Sequence, residues 1–303
     1  MLTGYPEAVP INFGGLPPEQ SSYETSRIVI WPIPLDRTTT YISGTRYGPR
    51  AILEASRNME TFDDELWAEV CTHGIATLPE METQEGNLEQ LMANIRTVAG
   101  QLAAENKFVV TLGGEHSLTG PIVSAYAKQY PDLTVLQVDA HADLREAYQG
   151  NRHSHASVMR RVVEICPAVQ VGIRSLCKEE ALALPELKTT IFWARDIAGQ
   201  PADQWAEKVV DELSDHVYVT LDLDGFDPAY LPATGTPEPG GLDWYQITSL
   251  IRTLTQSKKV VAMDVVELLP QPGQHASDFL AAKLIYKCLG YLIPQKRVGS
   301  RHP

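Results

Sequence analysis

Seven short apolar runs, rich in β-branched residues, recur along the chain at 27–33, 107–112, 133–138, 169–173, 189–193, 217–223 and 259–266. Each is too short for a helix and apolar on both faces, the pattern of a strand buried on both sides of a parallel sheet. Longer helical stretches separate them, at 49–57, 88–105, 118–129, 156–165, 202–213, 244–255 and 276–293. The last stops before Pro294, which cannot continue a helix. Such alternation predicts an α/β fold, a parallel sheet with helices on both faces. No repeat, low-complexity tract or linker interrupts it, so residues 1–303 read as a single domain. The Pro/Gly-rich start makes residues 1–25 an expected surface arm.

Charge narrows the partners. The net charge is −13, with neither a basic patch nor a basic tail, which argues against nucleic acid and is compatible with a cationic substrate. No apolar run reaches the ~18 residues of a membrane span, so no membrane partner is expected. Four scattered cysteines without a CxxC pair suggest reduced thiols and a cytoplasmic location.

Four of the strands run into polar residues that a plain core strand would avoid. They are Gly113-Gly114-Glu115-His116-Ser117, Asp139-Ala140-His141-Ala142-Asp143, Asp222-Leu223-Asp224-Gly225-Phe226-Asp227 and Glu267. In open α/β sheets the ligand crevice lies outside the carboxyl ends of the strands, so these residues should converge. Asp139, His141 and Asp143 alternate, and an extended segment would turn all three to one side. Asp222 and Asp224 share that spacing. With His116 this makes four carboxylates and two imidazoles. Oxygen and nitrogen donors without sulfur suit a Mn²⁺-like ion, with Co²⁺, Ni²⁺, Fe²⁺ or Zn²⁺ as alternatives. Six ligands exceed the needs of one metal, and bridging carboxylates would hold two, roughly 3.5 Å apart. Asp227 precedes Pro228 and reads as a turn cap.

These motifs resemble the ureohydrolases, the arginase and agmatinase family, over nearly the whole chain. Gly235-Thr236-Pro237-Glu238-Pro239-Gly240-Gly241, Asp264-Val265-Val266-Glu267 and the segment from Gly44 to Ile52 resemble further landmarks of that family. Many relatives have Asp where this chain has Glu115. The resemblance implies a three-layer α/β/α fold around an eight-stranded parallel sheet, and a homo-trimer or homo-hexamer. It also implies two Mn²⁺ per subunit. One would take His116, Asp139, Asp143 and Asp222, the other Asp139, His141, Asp222 and Asp224.

It further implies hydrolysis of a small guanidino compound. Glu267 would orient the guanidinium, Asp143 or Asp224 would take a proton from the attacking hydroxide, and His155 would shuttle a proton to the leaving amine. His155 lies in an agmatinase-like segment, His153 to Arg161, where His153 is its rival. The stretch after Asp143 lacks an arginase-like pattern, which points to agmatine, with guanidinobutyrate, arginine and guanidine as alternatives. Glu238 is a candidate for the amine tail and Arg145 for a substrate carboxylate, although a structural ion pair is the simpler role for Arg145. Another dinuclear hydrolase, such as a phosphoesterase, also uses Asp-x-His patterns. The Gly-Gly-Glu-His-Ser segment and the lack of further His-rich motifs speak against it.

Overall fold

The computed structural model describes residues 9–294. The main sheet has eight strands: β1 Ile28–Ile33, β2 Ile75–Thr77, β3 Phe108–Gly113, β4 Thr134–Val138, β5 Ala168–Ile173, β6 Thr189–Trp193, β7 His216–Asp222 and β8 Lys259–Val266. They form one sheet in the order β2-β1-β3-β8-β7-β4-β5-β6, and every neighbouring pair is parallel. Seven strands match the expected runs. The eighth, β2, has three residues at the sheet edge, too few to show a periodicity.

Alternation along each strand feeds two cores. From β1, Ile28 and Ile30 face one layer, while Val29, Trp31 and Ile33 face the other. Helices α1 (Gly48–Ser56), α6 (Ala206–Asp211), α7 (Trp244–Ser257) and α8 (Ala276–Leu292) cover the first. Helices α2 (Leu88–Ala103), α3 (Thr119–Gln129) and α4 (Val158–Val163) cover the second, with α5 (Lys178–Ala183) beyond them in sequence. Each large apolar side chain so buried contributes about 1.5–3 kcal/mol. Helix α7 starts on a capping box, in which the Asp243 side chain accepts from Gln246 N–H and the Gln246 side chain returns to Asp243 N–H. No helix among the described residues is long and apolar enough to cross a membrane.

Three expectations change, the first being the helix at 202–213, which is instead a 3₁₀ turn, Ala202–Gln204, followed by the shorter α6. Residues 1–8 of the expected arm lie outside the described residues, but the segment after them is docked. Phe13 and Leu16 are buried in the first core, Phe13 N–H donates to Thr77 Oγ1 at 2.9 Å and Gly14 N–H to Ser56 Oγ at 2.9 Å. An aromatic ring amid the prolines and glycines is what the arm reading undervalued. The helix expected at 156–165 is instead a 3₁₀ turn, His155–Ser157, followed by the shorter α4.

Adjacent strands β3, β8, β7 and β4 occupy the centre, so their carboxyl ends share one rim. There the chain after β3 must pass very close to the loop after β1. Gly114 N–H donates to Ile33 O at 3.0 Å, and a Cβ on Gly114 would lie 1.9 Å from Leu35 O. Gly114→Ala therefore forces backbone apart and should cost at least about 2 kcal/mol. Chemical denaturation would measure it, and an unchanged midpoint would show that the loop yields freely.

Candidate active site

His116 stands first on this rim, in the 3₁₀ turn His116–Leu118 between β3 and α3. Its Nε2 is 2.8 Å from Thr220 Oγ1 on β7, and Thr220 donates its own proton to Asp264 Oδ1 on β8 at 2.6 Å. Tyr218 and Thr119 hydroxyls donate to Asp264 Oδ2, each at 2.8 Å. With its proton spent on Asp264, Thr220 accepts from Nε2–H, which leaves the Nδ1 lone pair for the rim.

Around that Nδ1 lie Asp139 Oδ2 at 3.2 Å, Asp143 Oδ2 at 3.3 Å and Asp222 Oδ2 at 3.2 Å. Yet Nδ1 is buried with no hydrogen-bond partner. A nitrogen and three oxygens gathered without hydrogen-bond geometry fit a cation between them. Burial opposes charge on His116, but these carboxylates override it and push its proton affinity well above the ordinary range.

A second cluster adjoins the first. His141 Nδ1 lies 2.9 Å from Asp224 Oδ2 and 3.7 Å from Asp139 Oδ1. Two triads result, His116/Asp139/Asp222 and Asp139/His141/Asp224, and within each the donor atoms lie within 4.8 Å of one another. Asp139 belongs to both. Its carboxylate is fixed by His141 N–H and Gln137 Nε2, each at 2.6 Å.

Turns bring these ligands together, not the pleat expected from their spacing. β4 ends at Val138, and Asp143 sits at φ 53°. β7 ends at Asp222, and the 3₁₀ turn Leu223–Gly225 swings Asp224 round until its Oδ1 accepts from Ala140 N–H at 3.1 Å. Four carboxylates at such range resist joint ionisation. Burial, then the Asp139 charge, raises Asp143 to about 7. Burial, then Asp224 and Asp139, pushes Asp222 well above the carboxylate range. Asp139 moves the other way: burial opposes its charge, but His116 and His141 hold it ionised. For His141, burial opposes charge and Asp224 prevails, pushing it up to about 12. Cations resolve this crowding.

Above the triads opens a cavity of about 220 Å³, bordered by His141, Asp143, Asp222, Asp224, His155 and Glu267, with Arg145, Tyr148 and Glu180 among its other walls. Glu267 follows β8 at φ 66°, conformationally costly for a glutamate and retained where the surroundings enforce it. Its N–H donates to Gly114 O at 2.7 Å, and its Oε1 accepts from His116 N–H at 2.7 Å. Desolvation, then the nearby Glu115, pushes its carboxyl well above the usual range. Burial lowers His155 to about 4, so it is neutral at pH 7. His153 borders a different cavity, beside Ser117 and Arg161.

Glu238 does not border the site. Its carbonyl oxygen is instead held by Arg174 Nε at 3.2 Å and Nη2 at 2.9 Å. Arg145 leans over the Tyr148 ring at 4.9 Å and lies 4.0 Å from Glu180 Oε2. Asp227 is a cap, accepting from the N–H groups of Ala229, Gly240 and Gly241.

Sequence reasoning missed Arg174, although it too follows an apolar strand. Its guanidinium donates to the carbonyls of Gly172, Asp224, Gly225 and Phe226 as well as Glu238, tying the ligand turn after β7 to the end of β5. It also missed Thr38, Gln137 and Thr220, whose hydroxyls and amide gave no signal distinct from ordinary polar residues.

The Arginase family profile matches residues 26–290. This chain belongs to the arginase family. An N(1)-aminopropylagmatine ureohydrolase from Synechocystis is 39% identical over 280 residues, spanning 89% of this chain and 90% of the relative. An agmatinase from Bacillus cereus is 35% identical over 253 residues, covering 82% and 86%. The crystal structure of an agmatine ureohydrolase of Thermoplasma volcanium superposes with a TM-score of 0.82 at 34% identity, covering 90% of this chain and 92% of that one. Membership makes the chain a metal-dependent, C–N-cleaving ureohydrolase with a dinuclear centre, and the eight-stranded sheet is the arginase-like one.

Proposed function

We propose that this chain is a manganese ureohydrolase that splits agmatine into urea and putrescine, a step of polyamine formation. The observation that carries the reading is the pair of triads sharing Asp139 beneath a cavity that Glu267 and His155 also border. On this reading His116, Asp139, Asp143 and Asp222 would hold one Mn²⁺, and Asp139, His141, Asp222 and Asp224 would hold the other. Bound there, the ions would acidify water so that it attacks near neutral pH. Co²⁺, Ni²⁺, Fe²⁺ and Zn²⁺ suit the same donor types.

The chain's own residues do the rest. Glu267 accepts guanidinium N–H groups and holds the guanidinium carbon in place for attack. Asp143 or Asp224 takes the proton of the attacking water. His155, neutral at pH 7, accepts a proton and passes it to the leaving amine.

Substrate choice rests on charge. The chain carries −13, which favours a dication over a zwitterion. Arg145, the one candidate for a substrate carboxylate, is engaged with Tyr148 and Glu180. With Glu238 outside the cavity, Glu180 is the wall carboxylate that is neither a proposed metal ligand nor Glu267, and it is fixed by the N–H groups of Leu144 and Cys177. A second reading, N(1)-aminopropylagmatine, is favoured by relatives so named at 39% and 38% identity, against 35% for an agmatinase. Both substrates carry amines beyond the guanidinium and no carboxylate.

A urea-release screen with Mn²⁺ over agmatine, N(1)-aminopropylagmatine, arginine, guanidinobutyrate and guanidine tests this. Agmatine should exceed arginine in kcat/KM by at least about tenfold, or ~1.4 kcal/mol, and the margin should shrink as salt rises. Best turnover of guanidinobutyrate or guanidine would leave a ureohydrolase but remove agmatine. The reading includes the homo-trimer or homo-hexamer that the family resemblance implies, and a cytoplasmic site in keeping with the free cysteines.

A further inference from the structure

We propose that Glu115 and Thr38 fix the tautomer and ring orientation of His155, so that Nε2 is the nitrogen that handles the proton. The inference deepens the proposed reaction and rests on the role given there to His155.

Glu115 is fully buried immediately before His116, yet its carboxylate belongs to neither triad. Oε2 accepts from Thr38 N–H at 2.6 Å, and Oε1 accepts from Thr38 Oγ1 at 2.7 Å and from the Ser117 hydroxyl. A threonine hydroxyl has one proton, and Thr38 commits it to Glu115. Towards His155 its oxygen is therefore an acceptor only. His155 N–H donates to it at 3.0 Å, which seats the backbone, and His155 Nδ1 lies 3.3 Å away. An oxygen whose proton points elsewhere stabilises Nδ1 only when that nitrogen carries hydrogen. Ser154 Oγ, also 3.3 Å from Nδ1, can either donate or accept and follows whichever tautomer Thr38 selects.

The neutral ring then keeps its lone pair on Nε2, 3.3 Å from Thr40 Oγ1, and Thr40 borders the catalytic cavity. Proton uptake and delivery at Nε2 leave the Nδ1–H bond unbroken throughout. Thr38 and Glu115 are thus positioning residues that act through His155.

The test uses the Mn²⁺-loaded enzyme with agmatine. Thr38→Val preserves shape and the backbone bond to Glu115 but removes the hydroxyl, while Thr38→Ser restores it. Thr38→Val removes the acceptor for both His155 N–H and Nδ1–H, and loss of the bond to a ring that becomes charged should lower kcat about tenfold. KM and metal content should stay as in the wild type, and Thr38→Ser should recover most of the rate. Nitrogen NMR of the Zn²⁺-loaded protein, with His155 assigned by its loss in His155→Ala, should show Nδ1 protonated and a shift toward Nε2–H in Thr38→Val. Unchanged kcat in Thr38→Val, or a loss that serine fails to recover, would overturn the inference. His155→Ala separates the two claims. It should lower kcat roughly 10²–10⁴-fold. If it does not, the proton-transfer reading fails first. If it does while Thr38→Val is silent, only the positioning claim fails.

Discussion

Asp139→Asn should strip both metal ions from the protein and abolish urea release. Asp139 is the residue common to the two triads, with Oδ2 beside His116 and Oδ1 beside His141. Asparagine keeps the volume but replaces one oxygen with an NH₂ group, a donor aimed where a cation needs lone pairs. Gln137 Nε2 and His141 N–H, which now donate to the two carboxylate oxygens, cannot both be satisfied by the amide. The loss therefore reaches both seats. His116→Ala removes a donor from one triad only, so it should weaken one ion and spare the other. Metal analysis of the purified variants, with calorimetric titration of Mn²⁺ into the stripped proteins, reads the difference. Two full equivalents in Asp139→Asn would defeat the shared-ligand assignment.

The fold was legible in the alternation of short apolar runs with longer helical stretches, and the candidate site in ionisable residues out of place at the ends of those runs. Asp139 after Val138, Asp222 at the end of β7 and Glu267 after Val266 each interrupt a run that packing alone would have kept apolar. The less legible features depend on turns and on distant partners. The spacing of Asp139, His141 and Asp143 suggested a pleat, but Asp143 lies at positive φ and reaches His116 by a bend that alternation cannot encode. His153 and His155 are indistinguishable by spacing, yet they border separate cavities, with a 3₁₀ turn beginning at His155. Thr38 contacts a residue 77 positions away and Thr220 one 104 positions away, so nothing local marks either as part of the site. Glu238 was misplaced for the converse reason. A carboxylate in a loop between landmarks invites a role, but Arg174 holds that loop by its backbone.

Glu267→Gln should separate substrate capture from metal binding. The side chain hangs from a backbone locked to β3 by Glu267 N–H donating to Gly114 O, so substitution should leave the strand end in place. The glutamine oxygen can still accept from His116 N–H, as Oε1 of the glutamate does at 2.7 Å, so the His116 turn should also persist. What disappears is the negative charge that a bound guanidinium would hold on this carboxyl against the opposition of burial and Glu115. That charge matters because a guanidinium entering this site leaves its water behind, and a carboxylate compensates for that loss far better than a neutral amide. The amide also presents an NH₂ that opposes guanidinium N–H groups. We therefore expect near-normal metal content and a fall in kcat/KM of about 10²–10³-fold, or ~3–4 kcal/mol of transition-state stabilisation. Poor orientation of the carbon lowers kcat as well as raising KM, because Glu267 both binds and aims the group that reacts. Urea release by Glu267→Gln at the wild-type rate, with both metals bound, would assign the guanidinium to another carboxylate. Glu180, on the same cavity wall and outside the proposed metal ligands, would then be the first to substitute.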